Sequence, residues 1–290
     1  MRTSLILTLT SDFAIFKQAA SVRALVVDQS STSFSRKNIE ALEKIAKEKG
    51  AKGLAWTRFK EGDFSGGVGR FLKVQDWQDA LKLEGDKLLL FVADSYDIAS
   101  KALGAVRLQI GKELNMIDPQ RFEFLWVHDF PLFEWNEQRQ CYDATHHLFT
   151  QPRDQDLAYI DSDPQKVRGK LYDLVLNGWE LLSGSIRVCD YKLQKKILNV
   201  IKMSDEEAQS KFGFLMEAMQ YGAPPHGGSA LGLDRLVAIL THQEAIREVI
   251  AFPCNHTGIF PLDGSPAEVS QEQLKELGIK VQEKPSLQAE

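Results

Sequence analysis

The distribution of apolar residues changes near residue 120. Before that point, short apolar runs alternate with stretches of helical spacing. Residues 22–27, 53–57 and 88–92 predict three strands, and Leu88-Leu89-Leu90-Phe91-Val92 is apolar throughout, as a buried strand is. Ser35 predicts the cap of a helix reaching about residue 49. Residues 77–83 predict a short helix and residues 96–114 a longer one. The basic run from Lys44 to Lys52 reads as the solvated face of a helix. Gly66-Gly67-Val68-Gly69 follows no strand and opens no capped helix, so it reads as a turn and not as a phosphate cradle.

From Phe122 onward, residues 124–127 and 132–135 predict strands separated from the next element by a polar turn at 136–140. A further strand region starts near Lys170, and helices follow at about 194–201 and 205–220. Pro224-Pro225 predicts a rigid turn, and the charged stretch after Ser265 predicts a short exposed helix. There is no internal repeat and no low-complexity segment.

At 290 residues the chain has room for one or two domains. The net charge of -5 argues against nucleic-acid binding driven by overall charge, while leaving a local basic face open. Cys141, Cys189 and Cys254 are far apart and form no Cys-x-x-Cys, which argues against a disulfide framework or a structural zinc and fits a reducing compartment. The apolar run at residues 4–9 is too short to span a membrane and too short for a signal peptide's core. The expected location is the cytoplasm.

Candidate chemistry gathers in three places. Gly228-Ser229-Ala230-Leu231-Gly232-Leu233-Asp234-Arg235 begins with small residues that let backbone approach a bulky ligand. It continues into an apolar run of helical spacing at Leu233, Leu236, Val237 and Leu240. An arginine at such a strand-to-helix junction is placed to reach a phosphate. The alternative is a buried helix start in which Asp234 and Arg235 pair.

Asn177-Gly178 between apolar runs is a strong hairpin signal, because a type I′ turn needs positive φ at both central residues. That turn sets Leu176 opposite Trp179 and Val175 opposite Glu180, and alternation puts Asp173 on the Glu180 face. Such a carboxylate pair suits Mg²⁺ bound together with nucleotide phosphates. A bulge within Ser183-Gly184-Ser185 is expected to bring Arg187 to the same face. Exposed charges are common on open antiparallel sheets, and taken alone the same three side chains read first as solvated surface charges. The third place is Thr145-His146-His147-Leu148-Phe149-Thr150, where a neutral imidazole is either a hydrogen-bonding partner for a polar substrate or a loop histidine satisfied by backbone.

In this order, these pieces resemble the C-terminal part of bacterial-type aspartyl-tRNA synthetases. The resemblance is carried by Trp126-Val127-His128-Asp129-Phe130-Pro131, His146-His147-Leu148-Phe149-Thr150, Asn177-Gly178-Trp179-Glu180 and Gly184-Ser185-Ile186-Arg187. Lys211-Phe212-Gly213-Phe214-Leu215, Gly222-Ala223-Pro224-Pro225-His226, Gly232-Leu233-Asp234-Arg235 and Val249-Ile250-Ala251-Phe252-Pro253 continue it. Residues 1–118 look like the family's GAD insertion domain, and residues 119–290 like the C-terminal half of its catalytic domain.

The resemblance implies an α+β architecture: a class II synthetase antiparallel sheet with flanking helices, incomplete here, preceded by a small α+β domain. It implies activation of aspartate by ATP to aspartyl-AMP with Mg²⁺, then transfer to tRNA, in a homodimer with no membrane association. Arg235 resembles the third-motif arginine that holds ATP, with Gly232, Leu233 and Asp234 forming its turn. Glu180 and Asp173 resemble the Mg²⁺–ATP carboxylates. Arg187 looks like the arginine that recognises the aspartate side chain, and His146 like the histidine of the aspartate pocket. Arg235 and Glu180 are the implied catalytic pair.

The sequence also departs from the family. The first motif, a dimer-interface helix, the second motif with its α-phosphate arginine, and the anticodon-binding OB-fold are not among these residues. Leu182 and Ser183 stand where glycines are usual and are expected to crowd the pocket floor, and Cys254 stands in place of a lysine. The expectation is a fragment or truncated product carrying half an active site, with little or no ligase activity alone. The competing expectation is a non-catalytic synthetase-derived module that binds a nucleotide, an RNA or a protein. An ammonia-dependent asparagine-forming enzyme on the same fold is disfavoured, because a GAD-like region has no place in it.

Overall fold

The computed structural model describes residues 2–6, 12–28 and 34–282. The chain divides into two compact units, Met1–Asp118 and Pro119–Glu290. Of the N-terminal apolar run, residues 7–9 lie outside the described residues. Among the described residues, no helix is long and apolar enough to cross a membrane.

The first unit runs β1 (Arg2–Ile6), α1 (Ala14–Gln18), β2 (Ser21–Asp28), α2 (Arg36–Glu48), β3 (Ala55–Lys60), β4 (Asp63–Ser65), α3 (Val74–Leu81), β5 (Lys87–Asp94) and α4 (Tyr96–Glu113). Its sheet has the order β1-β2-β5-β3-β4, and every pairing is antiparallel. Leu25, Val27, Leu88, Leu90 and Val92 pack under α2 and α4, while Ala24, Val26, Leu89 and Phe91 pack with Phe59, Phe64 and Trp77 on the other face. Helices α2 and α4 cover one face, and α1 and α3 with residues 68–72 the other, which is why the 88–92 run shows no polar alternation. Ser35 caps α2 and Ser95 caps α4 through hydrogen bonds from Asn38 and Ile98 N–H. The glycine run does follow a strand, the short β4 that the sequence did not predict, yet it forms a turn and leads into a 3₁₀ turn at Gly69–Phe71.

The second unit runs β6 (Phe124–His128), β7 (Phe133–Asn136), β8 (Cys141–Ala144), β9 (Leu171–Leu176), β10 (Trp179–Ile186), α5 (Tyr191–Val200), α6 (Asp205–Gln220), β11 (Gly227–Leu231), α7 (Leu233–Leu240) and α8 (Gln271–Glu276). An antiparallel sheet of order β11-β10-β9-β6 forms its centre, and β7 and β8 make a separate hairpin. The buried apolar residues fall into small clusters. Leu132, Phe133, Ile160, Val167, Val188 and Ile197 form one, α5 and α6 share another around Leu198 and Met216, and Leu176, Leu181 and Ile239 join the sheet to α7. Strand β6 lies at the sheet edge with all five residues exposed, Phe124 at 59% and Trp126 at 55%.

Between β8 and β9 the chain runs through 3₁₀ turns, and a buried carboxylate ties the segment together. The buried Asp156 carboxylate accepts from Arg168 Nε at 2.8 Å and Nη2 at 3.0 Å, and from the Arg168 backbone N–H at 3.1 Å. Those bonds, the side-chain ones foremost, hold the Asp156 carboxyl below the usual carboxylate range. They fix the loop that delivers the chain into β9.

The β9–β10 hairpin turns at Asn177 and Gly178, with φ of 50° and 86°. Both values are positive, as a type I′ turn requires. Leu176 pairs with Trp179 and Val175 with Glu180, the register the turn predicts.

Candidate functional site

The bulge in β10 decides which side chains share a face. It falls between Glu180 and Leu182, leaving Leu181 as the extra residue, and not within residues 183–185 as the sequence suggested. The physical reason is visible in the pairing. Residues 182–186 are bonded to β9 on one side and β11 on the other, so a bulge there would disturb two ladders. Leu181 instead has an apolar slot with Leu176 and Ile239. Past the bulge, Leu182 faces Leu174 and Ser183 faces Asp173. Alternation then puts Asp173, Glu180, Ser183, Ser185 and Arg187 on one face, and Leu182 on the other. Leu182 therefore does not crowd the Arg187 side, whereas Ser183 does line it.

Small residues on β11 open that face. Gly228 and Ala230 pair with Ser185 and Ser183. A cavity of about 350 Å³ is lined there by His146, His147, Leu171, Ser183, Ser185, Arg187 and the β11 backbone. At Gly184, on the opposite face, the Tyr172 ring occupies the place of the missing side chain, and its hydroxyl donates to Gly228 O at 3.1 Å. A larger cavity of about 700 Å³ lies in the first unit near Phe16, Trp56 and Phe91, and no arginine lines it.

Arg187 stands between two neighbouring segments. Thr150 bridges it on one side, with Val188 N–H donating to Phe149 O, and its own N–H donates to His226 O on the other. Its Nη1 lies 3.0 Å from His147 Nδ1 and 2.8 Å from Nε2. The Phe149 N–H lies 3.2 Å from His147 Nδ1, and Nε2 lies 3.1 Å from Ser185 Oγ. Burial first, then the charges of Arg187 and His146, hold His147 below the ordinary histidine pKa. Arg187 is half-buried and has no carboxylate partner among the described residues.

The histidine that touches Arg187 is thus His147, while His146 meets the Phe130 ring edge-on at 5.0 Å and lines the same cavity. Sequence reasoning singled out His146 and passed over His147 and Ser185. Ser185 was within reach, being two residues from Arg187 on a strand. The choice between adjacent histidines depends on how residues 149–151 lie against β10, and spacing does not carry that.

Arg235, in the first turn of α7, donates through Nη1 to the Glu180 backbone carbonyl at 2.6 Å and to Glu180 Oε1 at 3.3 Å. Gly232 caps that helix, and its N–H donates to Leu181 O at 2.8 Å. Asp234 and Leu233 are exposed on the same turn, so Arg235 pairs across to β10 and not with its neighbour. Asp173 is buried, and its Oδ1 has no hydrogen-bond partner. A buried orphan carboxylate oxygen is costly unless something else engages it. That oxygen lies on the Glu180 face and is of the kind a hard cation takes. Among the described residues there is no cluster of three or more metal-ligating side chains.

Comparison with known proteins adds an independent observation. The family described as tRNA synthetases class II (D, K and N) matches residues 9–256. An aspartate–tRNA(Asp/Asn) ligase of Treponema denticola is 49% identical over 280 residues, covering 94% of this chain and 48% of its own. An aspartate–tRNA ligase of Lactococcus lactis subsp. lactis is 47% identical over 284 residues, covering 95% and 48%. The chain spans about half the length of these relatives. Among solved structures, an aspartyl tRNA synthetase from Entamoeba histolytica aligns with 58% of this chain and 29% of its own at 21% identity and a TM-score of 0.39.

Proposed function

The chain belongs to the class II tRNA synthetases of the D, K and N group, and from that premise we propose that it is the C-terminal part of an aspartate–tRNA ligase. The whole reaction joins the aspartate α-carboxylate to the ATP α-phosphate, releases pyrophosphate, and passes the aspartyl group to tRNA. The observation that carries the reading for this chain is the half-buried Arg187 guanidinium, facing a cavity with no carboxylate of its own. A planar fork of that kind takes a carboxylate through two parallel bonds. Asparagine forfeits the charge and offers a donor where an acceptor is needed, so aspartate is favoured.

Arg235 is the group for an ATP phosphate, presented on the Gly232-Leu233-Asp234 turn. Its contact with Glu180 holds it at the hairpin end. Asp173 and Glu180 would hold Mg²⁺, whose contribution when bound is to neutralise charge on the phosphates. His146, on the cavity wall, is placed to hydrogen-bond the amino acid. Catalysis by such a set is positioning and electrostatic stabilisation, with little acid–base work. In this reading Met1–Asp118 is the GAD insertion domain, tRNA is the acceptor, and the assembled enzyme is a cytoplasmic homodimer.

The test is calorimetric titration of the purified chain with aspartate and with asparagine in the presence of Mg²⁺–ATP. Aspartate binding that Arg187→Ala removes, with asparagine much weaker, supports the reading. Equal affinity for the two amino acids overturns it.

A further inference from the structure

We propose that His147 is a positioning residue for Arg187: its neutral imidazole engages Nη1 of the guanidinium, and leaves Nε and Nη2 to receive a carboxylate. The inference rests on the reading of Arg187 as the aspartate receptor. Among the described residues, His147 is the one side chain hydrogen-bonded to the Arg187 guanidinium, and Nη1 is the one nitrogen used. The ring is itself held at several points, by the Phe149 N–H at 3.2 Å, Ser185 Oγ at 3.1 Å and Thr150 Oγ1 at 3.3 Å from Nδ1. Ser185 and Thr150 are buried, so these supports are themselves fixed. A guanidinium on three flexible methylenes samples many rotamers. Fastening one of its nitrogens to a fixed acceptor reduces the entropy lost when the other two engage a ligand.

The choice of acceptor matters chemically. A carboxylate at this position would neutralise Arg187 and compete with the substrate for it. A neutral imidazole orients the guanidinium without cancelling its charge. Arg187, just past β10, and His146 from its own loop both oppose protonation of His147, and the cavity that His147 also lines carries Glu134, Arg139, Asp143, Lys202, Glu207 and Lys211. The ring is therefore kept in the form that accepts.

Two measurements test this. In nitrogen-15 spectra of the labelled full chain, His147 is expected as a single neutral tautomer, with a titration midpoint that rises in Arg187→Leu. An unchanged midpoint and tautomer in that variant overturn the coupling. In aspartate titrations with Mg²⁺–ATP, His147→Phe keeps a ring but removes the acceptor. It is expected to weaken aspartate about tenfold, as loss of one charge-assisted hydrogen bond does, and to leave asparagine binding unchanged. His147→Asn, whose amide oxygen can accept from Nη1, is expected to recover most of the loss. Equal loss for both amino acids, or no recovery in His147→Asn, reduces His147 to a packing residue and overturns the proposal. Absence of aspartate binding by the unmodified chain overturns the reading of Arg187 instead, and the spectra then still decide whether His147 holds the guanidinium.

Discussion

Arg235 reaches from the first turn of α7 to Glu180 on β10, bonding its backbone carbonyl at 2.6 Å and its carboxylate at 3.3 Å. The two side chains are 45% and 53% exposed, so the ion pair adds little to stability. Its consequence is geometric. It keeps a phosphate-seeking cation beside one of the two carboxylates proposed to hold Mg²⁺, on a turn fixed by the Gly232 N–H.

From this, Arg235→Ala is expected to lower Mg²⁺–ATP affinity by roughly 10–100-fold, the scale of losing a charge-assisted contact to phosphate. Thermal stability should stay within about a degree or two of the parent, since the pair is solvent-exposed. Calorimetric titration beside a melting curve separates the two. A large drop in melting temperature with unchanged nucleotide affinity makes the arginine structural and defeats the ATP assignment.

Gly184 makes a second prediction, about the sheet itself. A Cβ at that position would lie 2.4 Å from Gly228 O, 2.6 Å from the Tyr172 ring and 2.9 Å from Ser229 Cβ. The ring can turn, but the β11 carbonyl cannot withdraw without loosening the β10–β11 ladder. Gly184→Ala is expected to cost about 1–3 kcal/mol, the usual scale of overpacking. Urea denaturation followed by near-ultraviolet dichroism measures it. A neutral result would mean that β11 approaches β10 less closely than the Tyr172–Gly228 hydrogen bond indicates.

How far the sequence disclosed this arrangement depends on the range of the interaction responsible. The Asn177-Gly178 turn was legible, because positive φ at two successive residues is a local demand that few dipeptides meet. The caps at Ser35 and Ser95 are equally local. The bulge at Leu181 was misplaced, because its position is set by Ile239 on a helix more than fifty residues later and by a ladder on each side of β10. His147 was missed for the same reason, since its contact with Arg187 depends on a strand-like segment at residues 149–151 meeting β10. The Asp156–Arg168 pair left no trace in spacing at all. Identities of the arginines and carboxylates were readable from the motifs, but their mutual contacts were not.

The edge strand β6 yields a third expectation. Phe124, Leu125, Trp126 and Val127 are all exposed, and among the described residues β9 alone pairs with the strand. An unpaired, apolar edge is prone to associate with another chain. Sedimentation velocity should show self-association that grows with protein concentration. Leu125→Lys, a charge at the middle of the edge, should shift the distribution toward the monomer without lowering the melting temperature. A wild-type chain that stays monomeric at high concentration contradicts this.

The last prediction concerns pH and has a definite sign. His147 in the folded chain titrates below the ordinary histidine value, through burial first and the neighbouring Arg187 and His146 charges second. In the unfolded chain it returns to about 6.5. The folded state therefore binds fewer protons than the unfolded state in the window between the two values. Its contribution to stability is fully present above the unfolded value and is lost as pH falls through that value toward the folded one. Protonating the ring also forces Nδ1 to give up the Phe149 N–H and sets a second cation against Arg187. Replacement by asparagine removes the titration but keeps an acceptor. The stability difference between the parent and His147→Asn should accordingly shift in favour of the variant as pH is lowered from about 7.5 to about 5.5, measured by denaturant midpoints at matched ionic strength. A difference that is flat across that interval means the ring titrates alike in both states, and that Arg187 does not bear on it.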